Sequence, residues 1–158
     1  MHRKLILIVG IFAALAFIVV ALQGFTIVAE RQVQGRYLAL LMAACLSLFL
    51  GQGWVLLFFS ALGRQLKGLN PGEGEAVVVR LLALGRRCRP WAAAAILLGV
   101  AFFLLNPSFG HRWAPEWLAP GLILLTFAVH VTAVVIADRA LCEQEALLRH
   151  LDQVLVSS

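Results

Sequence analysis

Residues 5–28 read LILIVGIFAALAFIVVALQGFTIV, twenty-four positions without a charged side chain. A helix needs about 20 mainly apolar residues, rising 1.5 Å each, to cross the hydrocarbon of a bilayer. This stretch is long enough, and its length decides how the rest of the chain is read. The preceding His2-Arg3-Lys4 has the look of a secretory n-region. The apolar core is too long for one, however, and no small-residue A-x-A site follows it, so an uncleaved signal-anchor helix starting from Met1 is expected.

Outward from this segment, three more stretches carry the same signal. Residues 38–62 are uncharged, residues 118–137 are long enough to span, and residues 90–106 are shorter, with Arg89 able to snorkel toward the interface. All eight acidic residues fall outside the four spans. The whole chain agrees: of 158 residues 62% are hydrophobic and 13% charged, and the mean hydropathy is +0.94. A soluble domain is about 45–50% apolar and about 25% charged, so soluble, disordered and disulfide-scaffold classes are excluded. The expected fold is all-α, a polytopic membrane four-helix bundle with an amphipathic cytoplasmic C-terminal helix extension.

Orientation follows from Lys and Arg. With the N-terminus in the cytoplasm, ten basic residues lie inside: Arg3, Lys4, Arg64, Lys67, Arg80, Arg86, Arg87, Arg89, Arg139 and Arg149. Arg31, Arg36 and Arg112 alone lie outside. This positive-inside bias predicts an inner (plasma) membrane protein with both termini cytoplasmic. Tyr37, Trp113 and Trp117 then mark the outer interface and Trp91 the inner one. The net charge of +5 is accounted for by this bias and by anionic headgroups, so no nucleic-acid partner is implied.

The cytoplasmic loop 63–89 contains the turn signal Asn70-Pro71-Gly72, followed by Glu73, Glu75 and a helical-looking run from Ala76 to Leu84. Two readings fit: an interfacial helix, or a downward extension of the third span through Pro90. The extension is preferred because it lengthens a short helix. Arg86, Arg87 and Arg89 are candidates for a lipid headgroup or an acidic partner, against the plainer role of topogenic charge. In the tail 138–155, Leu141, Leu148 and Leu155 recur every seven residues, joined by Ala140, Leu147, Leu151 and Val154, with Glu143, Glu145, Arg149 and Asp152 elsewhere. This pattern is an amphipathic helix.

Helices in lipid associate by close packing and interhelical hydrogen bonds. Candidate packing positions are Ala43, Ser47 and Gly51 in the second span, with Ala95 and Gly99 in the third; Gly10 and Ala14 form a similar pair. Thr126 and Thr132 can satisfy themselves on their own helix, as can Gln23 and Thr26.

Two polar residues within the spans invite a functional reading. Gln52 lies fourteen positions past Leu38 and His130 twelve past Leu118, on helices of the same direction, so their depths agree within about 3 Å. A buried intramembrane imidazole raises three candidate roles: haem b ligand, quinone partner and proton relay. A bis-histidine haem needs a second imidazole, and His2, His111 and His150 lie outside the core. The plainer alternative has neutral His130 bonding Gln52, Ser47 or a backbone carbonyl and fixing helix register; it is preferred.

No catalytic motif is present. Three cysteines with no C-x-x-C pair disfavour a thiol oxidase, although Cys88 and Cys142 lie on the same side of the membrane. His111 and Glu116 have no third metal ligand nearby. No carboxylate lies within a span, which argues against an ion-coupled carrier. A carrier of a small lipophilic molecule, lined by Trp54, Phe58 and Phe102, stays open. The expectation is a non-catalytic structural or accessory subunit, or a homo-oligomer, in contact with lipid and other membrane subunits. The alternatives are a haem b or quinone redox anchor and the lipophile carrier.

Overall fold

The computed structural model describes the backbone of residues 2–26, 31–67, 75–105 and 118–157, and side-chain surroundings within 4–22, 37–64, 76–105 and 121–149. These residues form four helices: α1 (His2–Thr26), α2 (Arg31–Lys67), α3 (Glu75–Leu105) and α4 (Leu118–Ser157). Each contains a window long and apolar enough to cross a membrane, as the uncharged stretches anticipate. The helices are longer than those stretches. α2 begins seven residues before Leu38, and α3 begins fifteen before Pro90. The turn signal at Asn70-Pro71-Gly72 and the aromatic loop with His111, Trp113, Glu116 and Trp117 lie outside the described residues.

Helix α3 carries Pro90 in its interior. Proline has no N–H to give the carbonyl four residues earlier, here Arg86. The helix nevertheless continues on both sides of it, so residues 75–89 are helical and extend the third span, while 63–67 complete α2. Within this region Arg89 donates from Nη2 to the carbonyl oxygen of Phe59 on α2, at 2.9 Å.

α1 packs on α2, α2 on α3, α3 on α4 and α4 back on α1, closing a ring, while α2 and α4 approach across one diagonal. The other diagonal is bridged by Phe17 of α1 and Phe102 of α3, whose ring centroids are 6.1 Å apart. Two apolar clusters fill the interior. One gathers Ile6, Val55, Phe59, Leu81, Leu84 and neighbours near the ends where α1 begins and α4 finishes. The other gathers Phe17, Leu41, Leu48, Phe102 and Ile123 toward the opposite end. Outside the ring large apolar side chains face outward, with Leu50 71% and Leu97 69% exposed. A soluble bundle would bury such positions; a lipid-solvated one has no reason to.

Small residues set the helix spacing at particular points. A Cβ on Gly51 would stand 3.3 Å from Val9 Cγ1 of α1. On Gly99 it would stand 3.2 Å from Phe49 Cε1 and 3.3 Å from Leu48 Cδ2 of α2. Ala95 is buried, whereas Ala43 and Ser47 are half-buried and Ser47 Oγ donates back to Ala43 O at 2.7 Å. The tightest approach is at Gly10, where a Cβ would lie 2.8 Å from Val134 Cγ2 of α4. Gly53, by contrast, has nothing within 4 Å of its Cβ position.

This contrast yields a prediction. Gly51→Leu should force α1 away from α2 and lower stability in detergent by about 1–3 kcal/mol, the usual cost of overpacking. Gly53→Leu, two residues along the same helix, should melt like the parent. Equal melting temperatures for the two variants, read by circular dichroism, would contradict the placement.

Candidate functional site

Between the two apolar clusters lies one polar layer. It is built from Gly10 on α1, Gln52 on α2 and His130 on α4, with His130 0% and Gln52 1% exposed. His130 Nδ1 is 3.1 Å from Gln52 Nε2, and His130 Nε2 is 3.1 Å from the carbonyl oxygen of Gly10. The Phe17 ring packs beside the imidazole with centroids 6.5 Å apart.

The chemistry of these atoms assigns the protons. A carbonyl oxygen can only accept, so His130 Nε2 carries the hydrogen and donates to Gly10 O. In a neutral imidazole Nδ1 is then a bare acceptor, and the Gln52 amide nitrogen donates to it. The Gly10 carbonyl has two lone pairs, so it accepts from His130 as well as from its own helix. The absence of a side chain on Gly10 is what lets α4 come close enough for this bond. Gln52 Oε1 is left buried with no hydrogen-bond partner among the described residues. Its position follows from the stoichiometry: the ring's single N–H is spent on Gly10.

Both ring nitrogens are thus engaged and the imidazole is enclosed. A haem iron would have to take one of these two nitrogens from its present partner. Gln52 Oε1 is a different matter, since a hydroxyl or N–H donor brought to it would complete the layer.

Other polar groups are placed as follows. Thr126 Oγ1 donates across to Leu98 O on α3, at 3.4 Å, which corrects the expectation that it serves its own helix. Thr132 does so, donating to Ala128 O at 2.8 Å. The side chains of Gln23 and Thr26 lie outside the described residues. Arg86 and Arg87 are exposed, and Arg89 is exposed but bonded to Phe59 O. Cys45, Cys88 and Cys142 are free thiols, and Cys88 Sγ points at Ile136 O at 3.9 Å. Among the described residues no group of three His, Cys, Asp or Glu converges on a metal position. The candidate carrier lining is dispersed: Phe102 belongs to one cluster, Phe58 packs on the other, and Trp54 is 43% exposed.

Sequence reasoning brought Gln52 and His130 to one depth but missed Gly10 as the imidazole's acceptor. The available signal was weak. Gly10 stands out only as a glycine in an otherwise unbroken apolar run.

The proton assignment can be measured. Nitrogen-15 NMR of ring-labelled protein should show His130 as the Nε2–H tautomer, and an Nδ1–H signature would refute the assignment. His130→Gln should keep the fold, because an amide can donate to Gly10 O and accept from Gln52. A double-mutant cycle of His130→Ala with Gln52→Ala should give a coupling of about 0.6–2 kcal/mol, the range for hydrogen bonds between membrane helices.

Compared with known proteins, the chain matches no family model, no curated protein and no solved structure, so its functional reading rests on these residues.

Proposed function

We propose that the chain is an integral inner-membrane four-helix protein without a catalytic site of its own, acting as a structural or accessory subunit beside other membrane subunits or further copies of itself. The observation that carries this reading is the enclosure of the His130 layer. Both ring nitrogens are used inside the bundle, and the imidazole is spent on holding α1, α2 and α4 in register. A relay or ion path would instead line an open, polar cavity. In this reading both termini, the 63–89 connection and the 138–155 extension are cytoplasmic, supported by the ten-to-three distribution of Lys and Arg. The amphipathic character of the extension is supported in part: Ala140 and Leu141 are buried and Leu147 half-buried against exposed Arg139, Glu143, Glu145 and Arg149, but Leu148, expected on the apolar face, is exposed, and the polar Gln144 is buried instead. Leu151, Asp152, Val154 and Leu155 lie outside the residues whose side chains are described.

A second reading is favoured by one specific atom. Gln52 Oε1, buried and unpartnered, would accept a hydrogen bond from a quinol hydroxyl, which keeps a redox anchor open in its quinone form. The haem b form fits less well, because His130 has no free ring nitrogen. The lipophile carrier has the least support, since its candidate lining residues are spread over the bundle.

Gentle extraction from native membranes, followed by identification of companions and a visible spectrum, tests these readings. The proposal predicts a colourless complex containing either defined partner chains or several copies of this one. A Soret band abolished by His130→Ala would overturn it in favour of haem. Stoichiometric quinone lost on Gln52→Leu would overturn it in favour of the quinone anchor.

A further inference from the structure

Charge is distributed unevenly around the bundle. Residues 4–22, 37–64 and 76–105 contain no Asp or Glu, so every carboxylate whose side chain is described lies on α4. Arg64 of α2 and Arg86 and Arg89 of α3, all exposed, gather at the seam where those two helices meet. Arg89 crosses it to donate to Phe59 O, and its Nη2 stands 3.3 Å from the Cβ position of Gly63, the neighbour of Arg64. Arg86 lies one turn from Arg89 on the same side of α3, a spacing at which like charges repel unless an anion joins them. Arg87 belongs elsewhere: it and Glu143 both act electrostatically on Cys88, whose thiol faces Ile136 O of α4.

The seam continues from these cations into an apolar stretch. Positions 53, 57, 60 and 64 recur at helical spacing on one face of α2, and positions 86, 89, 93 and 97 do the same on α3. Phe59 against the Cβ position of Gly85 and Leu48 against that of Gly99 fix the antiparallel register, which brings Gly53 to the level of Ala93. Leu57 is 67% and Leu97 69% exposed, and Ala93 is half-buried. The Cβ position of Gly53 has nothing within 4 Å, so the seam is open to the outside there.

The ends of the spans place the seam without any assumed midplane. Arg64 follows the uncharged run 38–62, and Arg86 and Arg89 precede 90–106, so the cations stand where two crossings end and the apolar stretch lies within them. An exposed guanidinium is costly in hydrocarbon and favourable among anionic headgroups. What covers the seam must therefore be anionic at one end and apolar along the rest.

We infer that the α2–α3 seam binds an anionic phospholipid, with Arg64, Arg86 and Arg89 around the phosphate and an acyl chain along Gly53 and Ala93. Arg89 is the anchor. A guanidinium has five N–H groups, and holding one on Phe59 O keeps the others in place for an oxygen anion. Phosphatidylglycerol, whose headgroup carries no cation, supplies the net charge that phosphatidylcholine cancels within itself. An acidic protein segment would answer the cations and leave the apolar stretch unused. The site rests on the four helices crossing a bilayer and not on the chain's being an accessory subunit.

Native mass spectrometry of the full chain in mild detergent, titrated with these two lipids bearing identical acyl chains, tests the site. Phosphatidylglycerol should bind roughly tenfold more tightly than phosphatidylcholine. Arg64→Gln and Arg86→Gln should each lower that preference roughly threefold and together abolish it. Arg87→Gln, on the side toward α4, should leave it intact. Gly53→Leu fills the open stretch and should weaken binding of both lipids while melting like the parent. The three arginines are exposed, so their variants should keep the fold, which circular dichroism checks.

Equal binding of the two lipids would overturn the site. So would an effect of Arg87→Gln as large as that of Arg86→Gln, which reduces the site to diffuse surface charge. Unchanged binding in Gly53→Leu overturns it as well, leaving the cations to a soluble anion or an acidic partner, and a dimer that excludes lipid puts a second copy in the seam. Alkaline carbonate washing separates these failures from a deeper one. A chain that stays with the membrane yet shows no preference loses this site alone, whereas a released chain loses the four crossings.

Discussion

Hydrocarbon supplies no hydrogen-bond partner, so every polar group carried into it must find one inside the protein. That constraint governs this bundle. His130, on α4, meets it by turning one ring nitrogen to α1 and the other to α2, so a single side chain joins the first helix to the last and closes the ring. α3 is attached by bonds from Thr126 to Leu98 O and from Arg89 to Phe59 O, with a weaker thiol contact from Cys88 to Ile136 O. Hydrogen bonds between membrane helices average about 0.6 kcal/mol each and reach about 1.7. These bonds are therefore too weak to supply most of the cohesion, which falls to close packing. What they supply is direction: each is satisfied at one register and lost when a helix slides or turns.

Close packing and directional bonding depend here on the same residue type. At Gly10 the missing side chain lets Val134 approach and exposes the backbone carbonyl to His130. At Gly63 the Cβ position lies 3.3 Å from Arg89 Nη2, so the guanidinium reaches the Phe59 carbonyl through space that a larger residue would occupy. In each case a helix gives up a side chain, and a neighbour's donor reaches a main-chain carbonyl that keeps its own helical bond. In both cases the donor is satisfied on a neighbouring helix's main chain and not on a further polar side chain.

The spans were legible because hydrocarbon thickness acts on each segment separately, and a charge-free run of sufficient length is visible without knowing its neighbours. The extension of α3 through Pro90 was legible for a similar reason, since residues 90–106 are short for a crossing. The shared depth of Gln52 and His130 followed from counting residues along two helices. The partner of His130 Nε2 did not. Choosing Gly10 requires knowing that α1 lies beside α4 at that level, which is a property of the assembled bundle. Thr126 illustrates the same limit: bonding to its own helix and bonding to Leu98 O are equally compatible with its local sequence. Small-residue spacing offered little help, because such spacings recur throughout an alanine-rich chain and only some, as at Gly51 and Gly99, meet a neighbour.

The unpartnered oxygen of Gln52 bears on why an amide stands there at all. Replacing the amide by an apolar group would remove Oε1 from the set of unsatisfied acceptors but would leave His130 Nδ1 in its place. The number of unsatisfied acceptors is therefore the same with or without it, and the amide gains little through hydrogen-bond satisfaction. Its net contribution is a directed contact between α2 and α4, which face each other across the diagonal and have few other means of sensing one another's rotation. A pair that fixes rotation without lowering the count of buried unsatisfied groups is better described as specifying one arrangement of helices than as stabilising it.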